Sequence, residues 1–186
     1  SANQTVWFDK LEIEQNNLRT ALAFALNGEA GLHLAASLGW FFGERPYWNE
    51  GLSWLERALA ANPKASVSLR AKASHNAAAL AGHLGDKERL DAYCQQAILL
   101  AETIHDDWNV AWALCHLGFF SVFHSGYDAN QLALHLEKSV AIFRRLDDQM
   151  GLAHSLIRLA WNALDRQDIN YARRSVEEAE SLANKV

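Results

Sequence analysis

The sequence predicts an all-α protein, an α-α superhelix of about nine antiparallel helices. Three observations predict it. Only two prolines, Pro46 and Pro63, occur in 186 residues, and Ala and Leu dominate, a composition that favours helices over strands and frequent turns. Five aspartates, Asp86, Asp107, Asp128, Asp148 and Asp168, recur at gaps of 21, 21, 20 and 20, with apolar-periodic stretches of helical length between them. Aspartate is a good N-cap because its carboxylate accepts the orphan N–H groups of a first helical turn. Finally, small residues recur at twice that interval. Gly39, Ala78, Gly118 and Ala160 form one column, and Ala58, Ala97, Ser139 and Ala179 form another. A small side chain at both places lets two antiparallel helices approach closely, and enlarging one costs roughly 1–3 kcal/mol through overpacking.

The elements follow in order. A first helix spans about 5–27 and stops at Gly28, so residues 1–28 form an N-terminal capping or linker helix. Residues 29–186 then hold four hairpins of about 40 residues, at roughly 30–43 with 47–61, 65–83 with 86–104, 107–125 with 129–147, and 150–166 with 169–184. Pro46 in "ERPYWNEG" and Pro63 in "ANPKAS" mark breaks. Hairpins of this kind cannot bury their apolar faces alone, and they stack into a solenoid with a concave side. The third unit carries an extra residue in "SVFHSGYDAN" at 121–130, where an insertion could carry function or be a tolerated slip.

In the first helix, Trp7, Leu11, Leu18, Leu22 and Ala25 make one stripe at about 100° per residue. Glu14 falls inside the stripe and Asn17 at its edge. A buried unpaired carboxylate is costly. Glu14 therefore takes either Arg45 or Arg57 as a partner, or belongs with Trp7 and Asn17 to a joint with another domain.

The paired small columns, "LGD" at Leu84–Asp86 and "WLERALA" at Trp54–Ala60 resemble tetratricopeptide repeats. The period is nearer 40 than 34, and Lys87 and Ile169 stand where that motif usually has tyrosine. "WFDKLEIEQNNLRTALAFAL", "GLHLAASLGWFF" and "EGLSWLERALA" are similar, over nearly the whole chain, to the tetratricopeptide arms of signal-transduction ATPases among LuxR-like and SARP-like bacterial transcription regulators. The resemblance implies a right-handed solenoid acting as a cytoplasmic sensor or protein-interaction arm, downstream of ATPase and winged-helix domains. No phosphate-binding G-x-x-x-x-G-K-[ST] occurs in this chain.

Several function classes fit poorly. The net charge is −5 and no Lys/Arg run exceeds two residues, which argues against direct nucleic-acid binding. No segment is apolar for long enough to span a membrane. Cys94 and Cys115 lie in apolar helical stretches and read as buried reduced thiols. His75 and His83 are eight apart, as are His116 and His124; about 12 Å of helical rise separates each pair, too far for one metal ion. Adjacent Cys115 and His116 point about 100° apart on a helix, and the Ser, His and Asp of "HSGYD" share one turn without triad geometry. No cofactor, metal or catalytic residue is expected.

Repeat register locates a groove. The first helix of each pair faces inward, and columns that vary between repeats are candidates for a ligand. They are His33, Lys72, Trp112 and His154; Ser37, Asn76, His116 and Arg158; and Trp40, Ala79, Phe119 and Trp161. Aromatic rings give contact area, and Arg or Lys grips a carboxylate. Either these positions bind a protein, a peptide or a small-molecule effector, or the aromatics are core and the rest a solvated face. A structural scaffold that self-associates as a homo-oligomer is the alternative to a sensor.

Overall fold

A computed structural model of the chain describes residues 2–120 and 128–183. Its helices are α1 (Ala2–Ile13), α2 (Gln15–Ala25), α3 (Glu29–Glu44), α4 (Trp48–Ala61), α5 (Val67–His83), α6 (Lys87–Glu102), α7 (Asp107–Phe120), α8 (Ala129–Arg145), α9 (Gln149–Asp165) and α10 (Ile169–Ala183). Among the described residues there are no strands, and no helix is long and apolar enough to cross a membrane. The fold is all-α and solenoid-like: α3 packs on α4 and α5, α5 on α6 and α7, α7 on α8 and α9, and α9 on α10.

Turns of three or four residues set this stacking. Gly85, His105, Asp147 and Gln167 each adopt positive φ, and each directly precedes an aspartate. The amide N–H of that aspartate reaches back to the closing helix: Asp86 to Ala81 O at 2.9 Å, Asp106 to Ala101 O at 3.0 Å, Asp148 to Phe143 O at 3.0 Å and Asp168 to Ala163 O at 2.8 Å. Its side chain then caps the next helix, accepting from Arg89, Asn109, Gly151 and Tyr171 N–H respectively. One residue in left-handed conformation ends a helix and its neighbour begins the next.

One cap differs from the expectation by a single position. Asp106 rather than Asp107 caps α7. Asp107 is the first helical residue and pairs with Arg145 instead. Asp148 does double duty, since its second oxygen accepts the Trp108 indole N–H at 2.7 Å. Asp148→Ala is expected to lower the unfolding free energy by about 1–2 kcal/mol, the loss of a cap together with a stranded indole N–H. Urea unfolding against the parent chain measures it.

Both small-residue columns are buried throughout. Gly39, Ala78, Gly118 and Ala160 line one contact, and Ala58, Ala97, Ser139 and Ala179 the other. A Cβ on Gly118 would sit 2.6 Å from Leu136 Cγ across the hairpin. Ser139 uses its place differently, donating to Ala111 O at 2.8 Å and lying 2.9 Å from Ser155 Oγ. Asn76 Nδ2 donates to Ala36 O at 2.8 Å, joining the first two hairpins inside the core.

The first helix is in fact two, broken at Glu14, where φ is −85° and ψ 6°. Each half has its own anchors. In α1, Phe8 lies 6.1 Å from Phe41, Asp9 pairs with Arg45, and Glu12 accepts from Tyr47 Oη at 2.9 Å. In α2, Leu22 is buried and Arg19 forms a two-pronged pair with Glu50 at 2.6 and 2.7 Å. The bend at Glu14 lets both sets of contacts form. Glu14 itself is exposed, although Leu11 and Leu18 on either side of it both pack against the core.

Candidate functional site

All four inward helices, α3, α5, α7 and α9, line one cavity of about 360 Å³. The twelve column positions named from the sequence can be placed one by one, and Ala79 on α5 is among those that line the cavity. Ser37 and Trp40 on α3, Lys72 and Asn76 on α5, Trp112, His116 and Phe119 on α7, and His154, Arg158 and Trp161 on α9 all line it. His33 does not; it is exposed on α3.

The cavity wall is a continuous ring cluster. Trp112, 2% exposed, is the hub. Its ring lies 5.7 Å from Trp40, 6.0 Å from Trp108, 5.8 Å from His154 and 5.7 Å from His116. Trp40 also meets His154 edge-on at 4.9 Å, which bridges the first and fourth hairpins across the concave side. Such edge and offset contacts add about 0.5–1.5 kcal/mol each beyond area burial. The expectation left open whether these aromatics are core or groove. Trp112 is both, whereas Trp161 is 61% exposed at the rim.

Arg158 is held in place by neutral groups. Its Nη1 lies 2.9 Å from His116 Nδ1 and 3.4 Å from Cys115 Sγ, and its guanidinium stands 4.8 Å over the Phe119 ring. Cys115 and His116 therefore share an arginine and do not form a nucleophile–base pair. Burial holds the imidazoles uncharged. It pushes His75 down to about 3, with the Lys72 charge adding to the effect and Asp106 opposing it. Burial and then the Arg158 charge push His154 down to about 4 and His116 well below the ordinary range.

Several polar atoms in this wall are buried with no hydrogen-bond partner: Trp40 Nε1, Trp112 Nε1 and both ring nitrogens of His75. Four imidazoles (His75, His83, His116, His154) line the cavity, yet among the described residues no three of His, Cys, Asp or Glu converge as a metal site. Cys94 and Cys115 are both buried and free.

Sequence reasoning missed His75, His83, Trp108, Glu44 and Met150, which also line the cavity. Extending the columns by one turn finds most of them. Trp108 and Met150 lie four residues before Trp112 and His154, and Glu44 and His83 four after Trp40 and Ala79. His75 had no such signal, being a buried neighbour of Asn76.

The joint residues lie elsewhere. Trp7 is 62% exposed on α1, with Lys10 Nζ 4.4 Å from its ring. Glu14 is exposed and accepts from Asn17 Nδ2 at 2.6 Å. Neither arginine expected as its partner is used: Arg45 pairs with Asp9 and Glu12, and Arg57 stacks on Trp54. Of the insertion at 121–130, residues 121–127 lie outside the described residues.

No family model matches the chain, and no curated protein matches it. Among solved structures the chain is similar to BtubC (BKLC) from P. vanneervenii, with a TM-score of 0.72 over 97% of this chain and 78% of that one, at 18% identity. At that identity the likeness speaks to the helical superhelix alone.

Proposed function

We propose that this chain is a non-enzymatic binding module whose aromatic cavity receives a ligand. We further propose that it serves as the tetratricopeptide-like sensor arm of a larger cytoplasmic regulator, passing the signal to ATPase and DNA-binding domains elsewhere in that protein. One observation carries the binding role: a cavity of about 360 Å³, walled by tryptophans and imidazoles, holds the Arg158 guanidinium, which has no carboxylate partner among the described residues. Ligand sites are mostly apolar clefts of this size range with a few polar groups that fix orientation. The sensor role rests on the opening motif "LEIEQNNLR".

The test is a thermal-shift screen of the purified chain against small metabolites and short peptides. A ligand at about 100 times its Kd adds about 2.7 kcal/mol. For a domain of this size that raises Tm by roughly 5–10 °C. Ala79→Phe fills the cavity from α5 without touching its polar groups, and should abolish every such shift. Hits that bind Ala79→Phe unchanged would place the ligand elsewhere; an empty screen would count against a binding role.

A second reading has its own observation. Trp7, Ile13 and Phe24 are 62%, 81% and 93% exposed on α1 and α2. Isolated helices do not usually display three such side chains to water. These exposed side chains suit either the domain joint built on Trp7, Glu14 and Asn17 or self-association as a homo-oligomer. Light scattering over a concentration series separates them, because only the latter gives a mass that rises with concentration.

A further inference from the structure

We propose that the ligand of this cavity is a small aromatic monocarboxylate, its carboxylate seated on Arg158 and its flat body lying among Trp40, Trp112 and Trp161. The proposal rests on the cavity being a ligand site and adds the chemical class.

Charge is the first argument. The chain carries −5 overall, but its cavity lining holds two cations, Lys72 and Arg158, against one carboxylate, Glu44. The local sign is inverted, by one positive charge. Among the described residues, neither Lys72 nor Arg158 has a carboxylate in ion-pair contact. Arg158 spends Nη1 on His116 and Cys115, and its position over Phe119 fixes the guanidinium plane. A guanidinium pre-oriented in this way can grip a carboxylate through its other N–H groups at little entropic cost.

The imbalance of donors is the second argument. Trp40 Nε1 and Trp112 Nε1 are donors only; both are closed to water-sized contact and have no partner among the described residues, so they meet a ligand only where either ring turns toward it. His75 is 4% exposed with neither nitrogen bonded, and a neutral imidazole offers one further donor. A carboxylate accepts up to four hydrogen bonds and donates none, which fits such a wall. Sulfate-sized anions also accept, but they would leave the apolar wall wet. The rings, and the small residues Gly39 and Ala79 between them, call for a flat apolar body attached to the charge.

Size is the third. A cavity of about 360 Å³ lies at the low end for organic ligands, room for a one- or two-ring molecule rather than a folded segment. A free aromatic acid and the last residue of an aromatic-ended peptide share this chemistry.

Isothermal titration with matched acid and amide pairs tests the class: naphthalene-2-acetate against naphthalene-2-acetamide, indole-3-propionate against its amide, and the dipeptide Gly-Trp against Gly-Trp-amide. At least one acid is expected to bind at least ten times more tightly than its amide. Arg158→Met should collapse that preference to within about twofold, Arg158→Lys should keep part of it, and Lys72→Met should reduce it less than Arg158→Met does. Circular dichroism melts confirm that each variant is folded; if Arg158→Met is not, the comparison of Arg158→Lys with the parent decides. A preference held only by the dipeptide pair would replace the free acid with a peptide terminus and overturn the small-molecule assignment. Amides that bind as well as acids, acid preferences that survive at Arg158→Met, or no binding by any pair would also overturn it. If the wider screen still yields hits lost in Ala79→Phe, the cavity remains a ligand site of another class, and only the carboxylate assignment falls.

Discussion

Trp112→Ala is expected to lower the unfolding free energy by about 3–5 kcal/mol, at the lower end of that range. The indole is 2% exposed and touches Phe143 at 5.2 Å as well as Trp40, Trp108, His116 and His154. Its Nε1 has no partner, so truncation strands no hydrogen-bonding group and the cost is apolar contact. The void would join the existing cavity and take up water, which is why the smaller figure is favoured over the larger. Trp161→Ala supplies the contrast. That ring is 61% exposed, so stability should change by no more than about 0.5 kcal/mol while ligand affinity falls. Urea unfolding of both variants measures the difference. A Trp112→Ala cost under about 1 kcal/mol would show that the hub is not packed as described.

The second large effect is a loss of stability on mild acidification. Burial, helped by the Lys72 charge, holds His75 down at about 3 against an ordinary 6.5. In that interval the unfolded chain binds a proton that the folded chain refuses, so stability falls as pH drops below about 6.5 and continues to fall until about 3. By pH 5 the loss from this one residue is roughly 2 kcal/mol. Asp106 is the carboxylate facing His75, but it is already bonded to Ser68, Asn109 Nδ2 and the Asn109 backbone N–H. Most carboxylates stay ionised above pH 5, so the window between 7 and 5 isolates the histidines. His75→Phe should flatten the slope of stability against pH there. A parent chain equally stable at pH 7 and 5 would contradict the burial of these imidazoles.

How much was legible in the sequence depended on whether the repeat reported it. The small columns Gly39–Ala160 and Ala58–Ala179 were readable because each hairpin needs the same close approach at the same place. The caps were readable for the same reason, except where Asp106 and Asp107 stand side by side and spacing cannot choose between them. The groove columns worked because inward positions share a register. They failed at His33, where α3 begins before the cavity does, and at His75, which is packed below the inward stripe. Glu14, read either as a partner of Arg45 or Arg57 or as part of a domain joint, is exposed and takes neither arginine. A helical wheel places Glu14 between Leu11 and Leu18, which do pack against the core, yet the carboxylate itself faces solvent and bonds Asn17.

The edge-on contact of Trp40 with His154 changes what kind of object this superhelix is. A stack of hairpins that touch only their neighbours behaves as a spring, and its end units can fray one at a time. Here a side chain of the first hairpin meets one of the fourth at 4.9 Å, with Trp112 against both. That closes the spring into a loop. A molecule that wedges Trp40 from His154 therefore acts on the first and fourth hairpins at once.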